Sequence, residues 1–596
     1  MMLRLPWIHC SDNNISQMKR YLPVISVFAA MAVVLFLKLD VIQKLFELSL
    51  WPDLTFYSNV GLQPGVALPI LGSVLTQLSG LPVFGLVLVL LSLWCLSFLA
   101  GRLTGSRLAG MVPAVLAFLF VAGFDYSLYV FRAQGLLFSQ TLGLIATVGC
   151  LLVWKRMGNT GGRIASIVLI VLAGYPLVGA YAVLFALAAA VASLIRKEWL
   201  AAVAAVISGV LFPILFTNCI FTHIDTRYTF VAGLPYMDFV GNHIRFLPLA
   251  LAGLSIVVLA AAKSWKSVSL AVSLPVTALM VACVAVFPYW NRNFHLEISM
   301  QQALEKNDWD KAVSLGARSQ APTRVIVMYR NIALLYKGWL CDRMFTYPQE
   351  SVGIDTPAEI SQTEVCAPAV FFYNGLINYS TRWAWEMSMM FQRTLERYKY
   401  QAKVALFTGR ENPELVEKYL RIIGRNLYQK GWVRKYRSYL EDPSLLEKDP
   451  EYRMFRELDK FEEIKYMSSA VVENTVLNHY LLQENPQGVM LQESLAAAMT
   501  AKDIDMFWYY YDRLLDSGVK IPVHVGEAAI LFAYIGRNQE EIDSVARDLG
   551  GPDSPIVRRF SKFSAEASSG KTEGFKQKYG DTYWYYCYFV KSITTD

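Results

Sequence analysis

The chain has 596 residues, 55% of them hydrophobic and 17% charged, with a mean hydropathy of +0.35; an ordinary soluble domain is about a quarter charged. That composition argues against a wholly water-soluble globule. The formal charge of +7 comes with no basic stripe or RNA-binding aromatic motif, which argues against a nucleic-acid partner. Charge is scarce from Tyr21 to Trp290 and returns from Asn291 onward, so the expected organisation is a cytoplasmic amino-terminal segment (1–20), a transmembrane domain (21–290) and an extracytoplasmic helical domain (291–596).

The first segment, Met1 to Arg20, is polar and no small-residue cleavage site follows the apolar run after it, so that run is predicted to be a retained helix. A span needs about 20 apolar residues, and the candidates in chain order are Leu22–Leu37, Pro82–Ala100, Leu108–Phe124, Gln134–Trp154, Ile164–Tyr175, Leu177–Ile195, Trp199–Phe221, Phe246–Ala262 and Val268–Phe287. They amount to about nine crossings, Ile164–Tyr175 being short for one. Ile164–Tyr175 and Leu177–Ile195 are predicted to form a tight pair turning at Gly174-Tyr175-Pro176, because proline removes a donor and disfavours helix before it. Gly65–Ser79, broken by Pro64 and Pro69, is too short to span and reads as re-entrant or interfacial.

Basic residues occupy every second connection: Lys19 and Arg20, Arg102 and Arg107, Lys155, Arg156 and Arg163, Arg196 and Lys197, Lys263 and Lys266. The positive-inside rule makes those connections cytoplasmic and places the carboxyl-terminal domain outside. The bilayer is thus the first expected partner. Asp40, Glu47, Asp53, Asp125, Asp225 and Asp238 all fall on the outer side. Between them, Val41–Leu50 places Val41, Leu45 and Leu48 on one face with Lys44 and Glu47 elsewhere, the pattern of an amphipathic helix on the outer surface.

This layout resembles the C-type (GT-C) glycosyltransferase membrane fold, whose members carry an acidic residue just after the first transmembrane helix and often another in the next outer loop. Asp40 and Asp125 stand in those two places; Gln63-Pro64-Gly65 to Gly80 resembles the proline-containing helix that follows, and Arg163–Arg196 the glycine-broken helix pair. No paired acidic motif stands at either place, and the usual Pro-Pro is Pro64-Gly65. The whole chain is also similar to an uncharacterised Bacteroidota family of polytopic membrane proteins with a helical-repeat tail, on the stretches Gly174-Tyr175-Pro176-Leu177, Asn307-Asp308-Trp309 with Pro322-Thr323-Arg324, and Tyr373-Asn374-Gly375-Leu376-Ile377-Asn378-Tyr379.

Beyond Pro288 the pattern is helical. A polar or glycine turn followed by an amphipathic helix returns at Lys306-Asn307-Asp308-Trp309, Gly409-Arg410-Glu411-Asn412, Ala501-Lys502-Asp503 and Gly536-Arg537-Asn538. The spacing is similar to a degenerate tetratricopeptide-type repeat, which would bind a protein or peptide on its concave surface. Tyr373, Trp383, Trp385, Phe507–Tyr510 and Tyr583–Tyr586 are expected in the core rather than in sugar stacking. Pro348–Pro368 reads as an irregular loop, over the outer mouth or on the surface, flanked by Cys341 and Cys366, a disulfide option in an oxidising compartment.

The expected fold class is therefore all-α. The expected function is a non-catalytic anchor or scaffold for envelope assembly in the bacterial inner membrane. The alternatives are a transferase moving a sugar from a polyprenyl-linked donor at the outer leaflet, and a transporter, which the scarcity of mid-helix charge disfavours. In a transferase, Asp40 and Asp125 would be the catalytic carboxylates, working as base or as ligands to a divalent cation, and Arg132, Arg227, Arg245 and Arg292 would hold the donor phosphates. His223, Asp225, Asp238 and His243 share one outer loop without a zinc spacing, so no resident metal is expected.

Overall fold

The computed structural model describes residues 8–53, 63–129, 134–235, 243–262, 270–350, 362–409, 413–459, 472–536, 538–570 and 572–591. Its elements are helices, with no strand among the described residues. The first half contains α1 (Ile8–Leu37), α2 (Leu39–Glu47), α3 (Ala67–Leu78), α4 (Pro82–Thr104), α5 (Arg107–Ala122), α6 (Leu136–Arg156), α7 (Thr160–Val178), α8 (Ala180–Ile195), α9 (Trp199–Cys219), α10 (Leu247–Ala261) and α11 (Leu270–Val286).

Each of the nine predicted apolar segments is a helix, but nine spans is corrected. Four helices, α4, α6, α7 and α9, are long and apolar enough to cross a membrane, and α1 with α2 makes a fifth only if that pair, bent by 64°, counts as one. The others, α5, α8, α10 and α11, are of 16, 16, 15 and 17 residues. An apolar run in sequence outlasts its helix because caps and turns at both ends consume residues. At 1.5 Å per residue, 16 residues reach about 24 Å, short of the roughly 30 Å hydrocarbon core. Counting crossings therefore no longer fixes which side the second half occupies.

The turn predicted at Gly174-Tyr175-Pro176 is corrected as well. Helix α7 runs through Pro176 to Val178, and the break falls at Gly179, with φ +57°. A side chain there would overlap the Ala232 carbonyl oxygen, which instead accepts from Ala180 N–H at 2.7 Å. Gly65, donating to Pro176 O at 2.9 Å, packs on Gly233 so closely that a Cβ would lie 2.8 Å from its Cα. Three glycines thus knot three connections together by backbone contact alone. A similar approach joins α4 and α5, where a Cβ on Gly110 would sit 2.5 Å from Gly101 N and Ser97 O. The short α3 packs on α6 rather than standing alone.

The outward faces of these helices are apolar: Leu169 is 63% exposed, Leu200 72% and Val286 69%. The basic connections gather at one end. Arg163 pairs with Glu198, Arg163 and Arg196 lie over the Trp154 ring, Lys155 Nζ donates to Leu103 O, and Arg107 donates to the Tyr21 hydroxyl.

The second half begins with α12 (Arg292–Glu305), α13 (Trp309–Gly316), α14 (Arg324–Tyr336), α15 (Leu340–Arg343), α16 (Gln362–Tyr373), α17 (Ile377–Met390), α18 (Leu395–Thr408), α19 (Pro413–Arg425) and α20 (Lys430–Glu441), and continues as helices to Phe589. Neighbours in sequence are mostly neighbours in space. Local chemistry sets the turns: Asp308, Asp503 and Asn538 accept backbone N–H groups at their helix starts, while Asn307, Gly409 and Lys502 take positive φ. Arg410, Glu411, Asn412 and Arg537 lie outside the described residues. Tyr373, Trp383, Phe507, Tyr510, Tyr583, Trp584 and Tyr586 are buried in one core, whereas Trp385 is exposed. Cys341 and Cys366 are free thiols, both buried; burial holds the Cys366 thiol well above its ordinary value.

The two cores interlock. Phe294 and Ile298 of α12 belong to the core of the first half, while Phe46 and Leu50, at and after the end of α2, belong to the core of the second.

Candidate functional site at the junction of the two halves

Helix α2 leaves α1 at a sharp bend, and its first turn carries Asp40, where a carboxylate favours the positive end of the helix dipole. Asn291 caps α12 through its side chain and so presents His295 one turn later. Asp40 Oδ2 lies 2.7 Å from His295 Nδ1. A carboxylate oxygen accepts, so the imidazole donates to it through Nδ1. The imidazole Nε2 is buried without a hydrogen-bond partner.

Asp125 has its own cation. It is 2% exposed, its Oδ1 accepts from Ser127 N–H at 2.9 Å, and Arg245 forms an ion pair with its Oδ2. Arg245 also donates to Ser127 Oγ at 3.2 Å. The two nominated aspartates thus have separate partners, and between them the Phe294 ring meets Tyr126 edge-on at 5.0 Å beside His295. Of the nominated arginines that the structure describes, Arg245 meets Asp125 and the other two stand elsewhere. Arg227 pairs locally with Asp225 and is largely exposed, and Arg292 is exposed at the first position of α12. Arg132, Asp238 and the side chain of His243 lie outside the described residues.

The densest polar chemistry lies one turn further along α2, in residues the sequence reading assigned to a solvated face. Lys44 is 1% exposed and Glu47 5%, which corrects that assignment. The reason is tertiary: α12 and α18 cover the face and bring matching groups. Lys44 Nζ lies 2.5 Å from Glu396 Oε2 and donates to Gln301 Oε1 at 2.7 Å, while the Gln301 amide donates to Glu396 Oε1. The same ammonium lies 5.4 Å from the centre of the Tyr129 ring.

Glu47, Glu305 and Glu396 place carboxylate oxygens within 4.8 Å of one another, and Glu47 Oε2 and Glu305 Oε1 have no hydrogen-bond partner. Burial, then the neighbouring Glu47 charge, pushes the Glu305 carboxyl up to about 8. Burial raises the Glu47 carboxyl too, so crowding favours a proton retained within the cluster, as between other close carboxylates. Lys44 already serves as the cation at Glu396. Next to it, Glu297 accepts from the Tyr126 hydroxyl at 2.9 Å and from Thr323, lining with Tyr129, Gln301, Tyr329 and Cys366 a cavity of about 10 Å³. That is room for about one water.

Sequence spacing alone cannot find this cluster, because its members come from three helices, with Lys44 257 residues from Gln301 and Gln301 95 residues from Glu396. The one available signal was two charges, Lys44 and Glu47, three apart in an otherwise apolar stretch.

No curated protein and no solved structure matches the chain. A family model does, that of a family of unknown function (DUF6057), over residues 18–590, and the chain belongs to that family.

Proposed function

We propose that the protein is a multi-pass anchor in the bacterial inner membrane that holds a helical domain rigidly against the outer face for assembly with envelope partners. The observation that carries this reading is that each aspartate suited to catalysis is already engaged by a side chain from a separate element, Asp40 in a hydrogen bond with His295 and Asp125 in an ion pair with Arg245. The apolar outward faces of the first half support insertion. The basic connections gather at the ends of α4 and α6 away from the second half, which supports a cytoplasmic amino terminus and a periplasmic second half. Helices that pack on their sequence neighbours leave surface for a protein or peptide partner, as a repeat-like tail would.

The test is mass spectrometry of envelope glycolipids and glycoproteins in a deletion strain, complemented at matched levels with wild type, Asp40→Asn or Asp125→Asn. An unchanged glycan profile on deletion is expected. A sugar lost on deletion and restored by wild type but not by the variants would refute the anchor reading.

One observation favours a second reading, a GT-C-like transfer of a sugar from a polyprenyl-linked donor. His295, held by Asp40 through Nδ1 with no hydrogen-bond partner at Nε2, has the arrangement of an oriented general base. Under that reading His295→Gln would abolish the transfer as fully as Asp40→Asn.

A further inference from the structure

Helices α19 and α20 form a groove of about 520 Å³ lined by Arg421, Arg425, Lys430, Arg434 and Arg437, with Glu441 as the one acid among its lining residues. Arg425 is paired with Asp53 and Arg437 with Glu417. Among the described residues no carboxylate pairs with Arg421, Lys430 or Arg434, and all three are exposed. Like charges crowded into one groove repel and gain by binding an anion.

The groove's position says which anion. The turn between the two helices is fastened to the membrane half: Asn426 Oδ1 accepts from Trp51 N–H at 2.7 Å and from Gln77 Nε2 at 3.2 Å, and Leu427 N–H donates to Gln77 Oε1 at 3.0 Å. The Tyr428 ring packs against Gly80, two residues before Pro82 opens α4, a helix long enough to span a bilayer. The cations without a carboxylate partner therefore stand near the start of a helix long and apolar enough to span a bilayer.

We propose that the α19–α20 groove is a binding site for the phosphate of an anionic lipid headgroup, with Arg421, Lys430 and Arg434 as its contacts. This rests on the anchor reading, since it requires α4 to be in the bilayer. Guanidinium groups suit the task because their forked N–H donors match phosphate oxygens in pairs.

Native mass spectrometry of the purified full-length protein in neutral detergent tests it, with phosphatidylglycerol, phosphatidylcholine or inorganic pyrophosphate titrated in. Phosphatidylglycerol is expected to bind in preference to phosphatidylcholine. Arg421→Gln/Arg434→Gln should weaken it about 30-fold, taking roughly 1 kcal/mol for each basic group at a membrane surface. Arg421→Lys/Arg434→Lys should retain most of the affinity, and Lys418→Gln, whose residue does not line the groove, should retain all of it. Equal binding of the two lipids, or an Arg→Gln pair that binds as wild type does, overturns the proposal. So does pyrophosphate binding with the same dependence on Arg421 and Arg434 but without lipid selectivity, which would make the ligand a soluble phosphate. Carbonate extraction of membranes from cells expressing the full-length protein separates the two claims: release of the wild-type protein refutes the anchor, whereas retention with no lipid selectivity refutes the groove alone.

Discussion

Replacing Glu396 by glutamine should loosen the docking of the two halves, and the structure sets how far. The Lys44 ammonium, 1% exposed, lies 2.5 Å from the Glu396 carboxylate. At an effective dielectric of about 20 this contact is worth at most roughly 7 kcal/mol of attraction. Desolvation of both groups offsets much of that. Removing one partner of a buried pair nonetheless costs about 3–5 kcal/mol, because the remaining charge is stranded. Gln301 and Glu47 still face Lys44, so the lower end, about 3 kcal/mol, applies. Roughly 1.4 kcal/mol per tenfold then raises the opening equilibrium of the junction about a hundredfold. Hydrogen exchange of the full-length protein in detergent reads this directly: peptides covering Leu39–Glu47, Arg292–Glu305 and Leu395–Thr408 should exchange about a hundredfold faster, while Ile504–Asp516, at a distance, should not change. Lys44→Met should be similarly costly, and the double variant Lys44→Met/Glu396→Gln less so than the two single effects added. Unchanged exchange in Glu396→Gln, or strict additivity in the double variant, would refute the claim that this pair locks the halves.

Two further outcomes follow from buried groups and close backbone contacts. Glu305 and Glu493 both have carboxyls raised from the ordinary glutamate value to about 8, by burial foremost. A raised folded-state value means that their contribution to stability is complete below about pH 4.5 and is lost as pH rises towards 8. Thermal denaturation in detergent from pH 5 to 9 should therefore show falling stability, with Glu493→Gln flattening the fall and exceeding wild type at pH 8. A wild-type midpoint that rises over that range would contradict this. Gly179→Ala meets positive φ and the Ala232 carbonyl together, whereas Gly409→Ala meets positive φ in open space. The first should cost at least about 2 kcal/mol and the second about 1, from the usual penalty for left-handed backbone. Denaturation midpoints of the two variants should fall in that order, and the reverse order would sink the account of the glycine knot.

Much of this architecture is legible in the chain itself. Hydropathy marks the apolar helices of the first half, and the return of charge at Asn291 marks where they end, because burial in lipid and burial in a water-soluble core demand different surfaces. Turn chemistry is equally local: Asp308, Asp503 and Asn538 announce helix starts that their own side chains cap. What the sequence could not decide is where helices stop and what covers a charged face. The difference between an apolar run and a 16-residue helix such as α5 or α8 depends on neighbouring turns. The break at Gly179 rather than Pro176 depends on a carbonyl from a distant loop. Lys44 and Glu47 look solvated from their own helix and are buried only because α12 and α18 arrive with Gln301 and Glu396. Patterning along the chain reports the medium each segment prefers. Which charge meets which is a matter of long-range packing, and only the tertiary structure, which brings residue 44 to residue 396, decides it.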